Sequence, residues 1–117
     1  MPIQRFVFHL LAISFAVVTP AAGQGKQDKQ TFTGVIADDI CAKAGHDRMR
    51  MGPTDGECTI ACVDIHGALY VLTDGKEIYT LSDQKTPEKF AGQKVKVVGK
   101  LDANGKTIQV ESIAASK

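Results

Sequence analysis

The sequence predicts one small all-β domain, a five-stranded barrel interrupted by short helices. Three observations lead to this prediction. Five segments have the composition or the two-residue alternation of strands. The pairs Asp74-Gly75 and Asn104-Gly105 are typical hairpin turns. Helix signals occur only in one insertion after the first strand and in one short segment before the fourth. The chain of 117 residues has room for a single domain.

The N-terminus has the pattern of an export signal. Residues 1–5 carry one positive charge, residues 6–18 form an apolar run, and residues 19–23 supply a proline and small residues. The run of 13 residues is shorter than the roughly 18 that a membrane-spanning helix needs. We therefore expect a signal peptide over 1–23, cleaved after Gly23, a flexible tether over 24–30, and a periplasmic or secreted protein with no membrane anchor after cleavage.

The charge of the remaining chain gives no sign of a polyanionic partner. Without Arg5, the basic residues fall from 14 to 13 and equal the 13 acidic residues. A balanced surface produces no long-range field toward nucleic acid or an anionic bilayer. We therefore predict that neither is a partner.

The first three strands include one hairpin, whose turn is Asp74-Gly75. Strand 1 covers 31–37 and alternates Phe32, Gly34 and Ile36 against polar or β-branched residues. Strands 2 and 3 cover 68–73 and 76–81 on either side of Asp74-Gly75. Strand 2 is apolar on both faces, so we expect the insertion before it to cover one of them.

The last two strands follow a short helix predicted over 86–92, with Thr86 as its cap and Pro87 in its first turn. Strand 4 covers 94–101, and strand 5 covers 107–113 with an end or bulge near Ser112. Gly34 and Gly99 fall where barrel strands bend. The domain then spans 31–113, followed by a tail over 114–117.

Five strands with a helix between the third and fourth is the order of an OB-fold; a small β-sandwich or an SH3-like barrel is the alternative. Four segments, FTGVIADDICAKAGH, CTIACVDIHGALYVLTDGKEIYTLSDQ, FAGQKVKVVGKLD and TIQVESI, carry a resemblance. In them the chain resembles a group of small exported bacterial proteins with OB-like domains and a Cys/His insertion. The resemblance implies the fold and the exported location, and it implies no activity.

The insertion between strands 1 and 2 contains all three cysteines. Asp38 and Asp39 predict a helical turn that carries Cys41. Thr54 and Glu57 form a capping-box pattern, which predicts a helix from residue 55 to about residue 66. On that helix Cys58 and Cys62 lie one turn apart, and we expect Ala61 and Ile65 to form an apolar face over Tyr70 and Leu72.

An odd cysteine count in an exported protein allows two interpretations. In the first, Cys41 forms a disulfide with Cys58 or Cys62 and the third thiol is buried. Closing a loop of that length contributes about 3 kcal/mol in the chain-entropy model. A bond between Cys58 and Cys62 is disfavoured, because positions one helical turn apart do not supply the required geometry. The insertion is then a structural or binding element.

In the second interpretation, Cys41, His46, Cys58 and Cys62 bind a metal ion. Three thiolates and an imidazole suit tetrahedral zinc. Met49 and Met51 lie in the same loop, and soft thioether ligands favour copper(I). We leave His66 out of the set, since a histidine in the last turn of a helix is more often placed to meet the helix dipole.

No catalytic or cofactor-binding residue is predicted. A thiol-dependent enzyme would need a base beside a cysteine, and Cys41 with His46 could supply such a pair. No orienting partner or oxyanion hole is recognisable. A binding module would contact a protein or a small ligand through the insertion and through Tyr70 and Tyr79 on strands 2 and 3.

Overall fold

The computed structural model describes residues 28–45 and 50–116. The predicted signal peptide, residues 24–27 of the tether, His46, Met49 and Lys117 lie outside the described residues. The prediction of a mainly β chain with five strands and a few short helices is confirmed. The elements are β1 Gln30–Asp38, α1 Asp39–Ala44, α2 Asp55–His66, β2 Tyr70–Thr73, β3 Ile78–Leu81, a 3₁₀ helix Thr86–Phe90, β4 Lys94–Leu101 and β5 Thr107–Ala115.

The strands form one sheet in the order β1-β2-β3-β5-β4, and β4 pairs back onto β1 so that the sheet closes as a barrel. β1 makes this closure possible because it pairs with β4 from Gln30 to Val35 and with β2 from Val35 to Asp38. A Cβ atom at Gly34 would lie 2.6 Å from the carbonyl oxygen of Thr73. Glycine therefore permits the close approach at the point where β1 changes partners.

The interior of the barrel is filled by alternate residues of the strands. The most buried members are Ile36, Tyr70, Leu72, Leu81, Val95, Val97 and Ile108, each at most 2% exposed. Phe32 and Tyr79 close the cluster with ring centroids 5.4 Å apart. The alternation predicted for β1 is thus correct, and in β4 Val95, Val97 and Gly99 are the buried residues.

β2 and β3 are shorter than predicted because aspartate side chains accept hydrogen bonds from the backbone N–H groups at their ends. The Leu69 N–H donates to Asp39 Oδ1, and the Asp39 N–H donates to the Leu69 carbonyl, so the ladder of β2 begins only at Tyr70. At the hairpin, Asp74 Oδ1 accepts from the N–H groups of Lys76 and Glu77. β3 therefore starts at Ile78.

β5 contains the predicted irregularity and extends past its predicted end. Val98 pairs with Ser112 and Gly99 pairs with Val110, which leaves Glu111 as a one-residue bulge. The bulge returns Ile113 to the core side. Ala115 still pairs with β4, so the first two residues of the predicted tail belong to the strand.

The 3₁₀ helix is capped differently from the prediction. Thr86 was expected to be its cap, but Asp83 Oδ1 instead accepts from the N–H groups of Lys85 and Thr86. Pro87 occupies the first turn as expected. In the described part of the chain, no helix has the length and apolar character needed to cross a bilayer.

Candidate metal centre

Cys41 is held in the first turn of α1 by the caps of that helix. Asp38, the last residue of β1, precedes the helix, and its Oδ2 accepts from the Cys41 N–H at 2.9 Å. Gly45 ends the helix with a positive φ of 83°, and its N–H donates to the Cys41 carbonyl. The thiol of Cys41 therefore has a fixed position directly after the barrel strand.

Cys58 and Cys62 lie on α2, which begins as the capping-box pattern predicts. The hydroxyl of Thr54 accepts from the Glu57 N–H and donates to Glu57 Oε2. Gly67 ends the helix in the left-handed region, at φ 66°, and its N–H reaches the carbonyl of Cys62. Both cysteines are fully buried. The spacing of four residues places their sulfurs on the same face of the helix.

The three sulfurs converge. Cys41 Sγ lies 3.7 Å from Cys58 Sγ and 3.6 Å from Cys62 Sγ, and all three ligand atoms are within 4.8 Å of one another. These separations are longer than the S–S bond of about 2.05 Å. The structure therefore shows three close thiols rather than a disulfide among them. We call these three residues the cysteine cluster. They are close enough to bind one metal ion.

The cysteine cluster lies in a small apolar layer of its own beside the barrel core. Ala68 is the fourth buried member, and Ile40, Met51 and Val63 pack around it. Val63 also contacts the barrel core and so connects the two clusters. The Met51 N–H donates to Cys58 Sγ at 3.3 Å. A backbone donor aimed at sulfur stabilises the thiolate that a metal ion requires.

Burial is the main cause of the raised pKa values of two of the thiols, Cys41 and Cys62. It raises the pKa of Cys41 well above its ordinary value, and the hydrogen bond with the Asp38 side chain raises it further. Burial is also the main cause of the raised pKa of Cys62. Metal binding to these residues must therefore displace protons from the thiols.

Asp38 is the functional candidate that sequence reasoning missed. Its carboxylate was interpreted only as a helix cap, yet the residue is 0% exposed, and Oδ1 has no hydrogen-bond partner among the described residues. The alternation of β1 contained the signal. Phe32, Gly34 and Ile36 point inward, and Asp38 continues the same parity into the buried end of the strand.

The structure describes only some of the predicted metal ligands. Cys41, Cys58 and Cys62 come together, whereas His46 and Met49 lie outside the described residues. His66 is exposed at the end of α2. The predicted apolar face with Ile65 is wrong. Ile65 is 67% exposed, because the buried face of α2 is the one that carries the cysteines and Thr59.

Of the two tyrosines of the predicted ligand surface, Tyr70 is buried and Tyr79 is half-buried. Tyr70 is 2% exposed in the barrel core, and Tyr79 packs against Phe32. A groove of about 550 Å³ lies beside the cysteine cluster, between α1 and the β2–β3 hairpin. Cys41 contributes to its lining, together with Lys43 and Lys76. The groove therefore borders the cluster at Cys41, while Cys58 and Cys62 do not line it.

No protein-family model matches this chain, and comparisons with curated proteins and with solved structures find no match either.

Proposed function

We propose that the protein is a non-catalytic metal-binding domain in which Cys41, Cys58 and Cys62 hold one zinc ion. The observation that carries the proposal is the spacing of the three buried sulfurs. With a Zn–S distance of about 2.3 Å, two thiolates of a tetrahedral site lie about 3.8 Å apart. The two distances from Cys41, 3.6 and 3.7 Å, are close to that edge length.

Copper(I) is the competing ion, because three sulfur ligands also suit a soft monovalent metal. A planar three-sulfur arrangement with the same bond length would separate the sulfurs by about 4.0 Å. The observed distances from Cys41 are shorter than this. The two distances are nearer to the tetrahedral edge length than to the planar one, and the third sulfur–sulfur distance lies within 4.8 Å, so we take zinc as the first ion to test and copper(I) as the second.

The role of the ion would be structural. Cys41 belongs to α1, and the other two cysteines belong to α2. An ion bound to all three would tie both helices to the end of β1. Structural zinc sites contribute directly to folding free energy, since the ligands come together only in the folded chain.

A tetrahedral ion needs one more ligand, and the sequence predicts His46 for that position. Because His46 lies outside the described residues, this assignment stays a prediction. His66 supplies a matched control, since it is exposed and does not belong to the group of close ligand atoms.

Metal titration of the reduced protein tests the proposal. We expect one equivalent of zinc per chain, and one equivalent of cobalt(II) with the intense near-ultraviolet band of sulfur ligands. Cys41→Ser, Cys58→Ser and Cys62→Ser should each weaken binding severely, whereas His66→Ala should bind as the wild type does. Wild-type protein that stays metal-free at micromolar zinc would overturn the proposal.

A disulfide is the second candidate use of the cysteine cluster. Cys41 lies at nearly the same distance from two partners on another helix, so either bond would tie α1 to α2. Intact mass after air oxidation separates the candidates. A loss of two mass units with one remaining thiol and no bound metal would favour the disulfide, and three titratable thiols with one zinc ion would exclude it.

We also propose that the barrel is OB-like and that the protein is exported. The strand order, the closure through β1 and the 3₁₀ helix between β3 and β4 support the fold assignment. Export is tested by producing the full chain in a Gram-negative host. The periplasmic form should have a mass that begins at Gln24, and a cytoplasmic protein that retains Met1 or Pro2 would contradict the assignment.

A further inference from the structure

Asp38 is a buried acid that forms no ion pair with any residue the structure describes. It is 0% exposed at the junction of β1 and α1. The ion pairs within the described ranges are Lys29–Glu111 and Arg50–Asp55, and neither includes Asp38. A buried carboxylate is costly unless it is hydrogen-bonded, paired with a cation or bound to a metal.

One oxygen of this carboxylate accepts a hydrogen bond from a described residue, and the other does not. Oδ2 accepts from the Cys41 N–H, which is the cap of α1. Oδ1 is buried and accepts no hydrogen bond from any residue that the structure describes. A buried acceptor that is left unsatisfied is uncommon in folded proteins and calls for a specific explanation.

The position of the carboxylate suggests what would satisfy Oδ1. Asp38 lies against Cys41, whose thiol is 3.6–3.7 Å from the other two sulfurs. Carboxylate oxygen is a normal zinc ligand at about 2.0–2.2 Å, and zinc sites with three other protein ligands have one position left for it.

We propose that Asp38 is the fourth ligand of the metal ion, so that the site consists of three thiolates and one carboxylate oxygen. This inference rests on the proposed zinc site. It assigns the fourth position to a residue of the described structure instead of to His46, and it accounts for both the burial of Asp38 and its unused oxygen.

Coordination requires a movement of the Asp38 side chain. Only the three cysteines form a group of ligand atoms within 4.8 Å of one another among the residues described, and Asp38 is not in it. In a tetrahedral site its oxygen would lie about 3.6 Å from each sulfur. Oδ1 has no hydrogen bond with a described residue to lose in this movement, whereas the bond from the Cys41 N–H to Oδ2 and the hydrogen bond between the Cys41 thiol and the carboxylate would both rearrange.

Asp38→Asn is the test variant, with Asp39→Asn as its control. Asparagine caps helices as well as aspartate does, so the variant keeps an acceptor for the Cys41 N–H while it removes the charged ligand. Asp39 is the neighbouring acid, and its Oδ1 accepts from the Leu69 N–H outside the cysteine cluster. Zinc affinity is measured by competition with a chelating dye, and the cobalt(II) spectrum reports the ligand set.

We expect Asp38→Asn to weaken zinc binding by more than the roughly 10–100-fold that follows from losing a residue that only orients a ligand. Its cobalt(II) visible bands should shift, whereas Asp39→Asn should leave affinity and spectrum unchanged. A smaller loss with an unchanged spectrum, or a spectral change in His46→Ala alone, would overturn the inference.

X-ray absorption at the zinc edge of the wild type gives a second readout that does not depend on the folding of a variant. Three sulfurs at about 2.3 Å with one oxygen at about 2.0–2.2 Å support the inference. The outer-shell scattering of an imidazole ring would overturn it. Failure of the wild type to bind zinc at all would instead overturn the proposed function, so the two failures are distinguishable.

Discussion

Zinc should raise the thermal stability of this domain, and one cysteine substitution should abolish the effect. Cys62→Ala is the informative change because Cys62 is 0% exposed and its sulfur is 3.6 Å from that of Cys41. Thr59→Val is the matched control. Thr59 is on the same helix and equally buried, but its hydroxyl has no hydrogen-bond partner among the described residues.

The size of the effect follows from linkage. A ligand that binds only the folded state at about 1,000 times its dissociation constant adds roughly 4 kcal/mol to the free energy of unfolding. For a domain of this size, each kcal/mol moves Tm by roughly 4–8 °C. Zinc should therefore raise the Tm of the wild type by roughly 15–30 °C. Without zinc, the loss of the buried sulfur in Cys62→Ala should cost about 0.5–3 kcal/mol.

The assay is thermal unfolding followed by circular dichroism, under reducing conditions, with zinc and with a chelator. Wild type and Thr59→Val should show the same zinc-dependent shift, and Cys62→Ala should show little or none. Thr59→Val should itself be neutral or slightly stabilising in chelator, since it removes a buried hydroxyl without a partner. An equal zinc-dependent shift in Cys62→Ala would refute the role of the cysteine cluster.

Three further predictions concern the framework of the site. In Gly99→Ala, the new Cβ would lie 2.2 Å from a backbone carbonyl oxygen of β5, so we expect a loss of about 1–3 kcal/mol in urea unfolding; a neutral result would contradict the tight β4–β5 packing. Thr54→Ala removes the acceptor of the Glu57 N–H and should cost about 1 kcal/mol, whereas Thr54→Ser should retain most of the stability. The pKa of Asp83 lies below its ordinary value of 3.8 because Thr86 hydrogen-bonds the carboxylate. The bond from the Thr86 side chain is the largest cause. A lowered pKa means that Asp83 stabilises the fold above pH 3.8 and that the contribution is lost as the pH falls through the folded-state pKa. Urea unfolding of Asp83→Asn should therefore differ from wild type at neutral pH and converge with it in acid; a constant difference would contradict the assignment.

Local signals in the sequence were sufficient for most of the framework. β4 has the predicted bounds, residues 94–101, because its alternating residues face the barrel interior on one side and water on the other. α2 begins after Thr54 because the capping pattern there is satisfied by real hydrogen bonds. Such signals involve residues close in the chain, so a single sequence contains them in full.

The errors arose where distant residues compete for the same groups. Asp39 bonds the backbone of Leu69, thirty positions along the chain, and thereby shortens β2. The exposed Ile65 and the buried Thr59 show that the orientation of α2 is set by what the barrel offers to it, and not by the apolar residues of the helix alone. No pattern within the helix contains that information.

The composition of the candidate site and the approach of its cysteines were predictable, but the use of the cysteines was not. Three cysteines in one insertion indicated a common site, and the structure places their sulfurs together. The sequence could not decide between a disulfide and a metal, because that choice depends on a distance. It also gave no reason to connect Asp38 with the thiols, although the inward parity of β1 extends to that residue.

The separation of the two apolar clusters leads to a last prediction about where the metal acts. The buried members of the barrel core come from the strands alone, and Val63 of α2 packs against both clusters. The connection between β1 and β2 should therefore become less ordered when the cysteine cluster is disrupted, whereas the barrel should change less. Regions held by few buried apolar contacts open locally at low free-energy cost.

Hydrogen exchange with and without zinc measures this difference. In chelator, the amides of α1 and α2 should exchange much faster than those of β4 and β5, and zinc should slow exchange in the two helices while it changes the barrel little. The Met51 amide is a sensitive probe because it donates to Cys58 Sγ and should gain protection when that sulfur binds a cation. Uniform protection of helices and barrel in chelator would show that packing alone orders the insertion. A bound ion would then not be needed to stabilise α1 and α2.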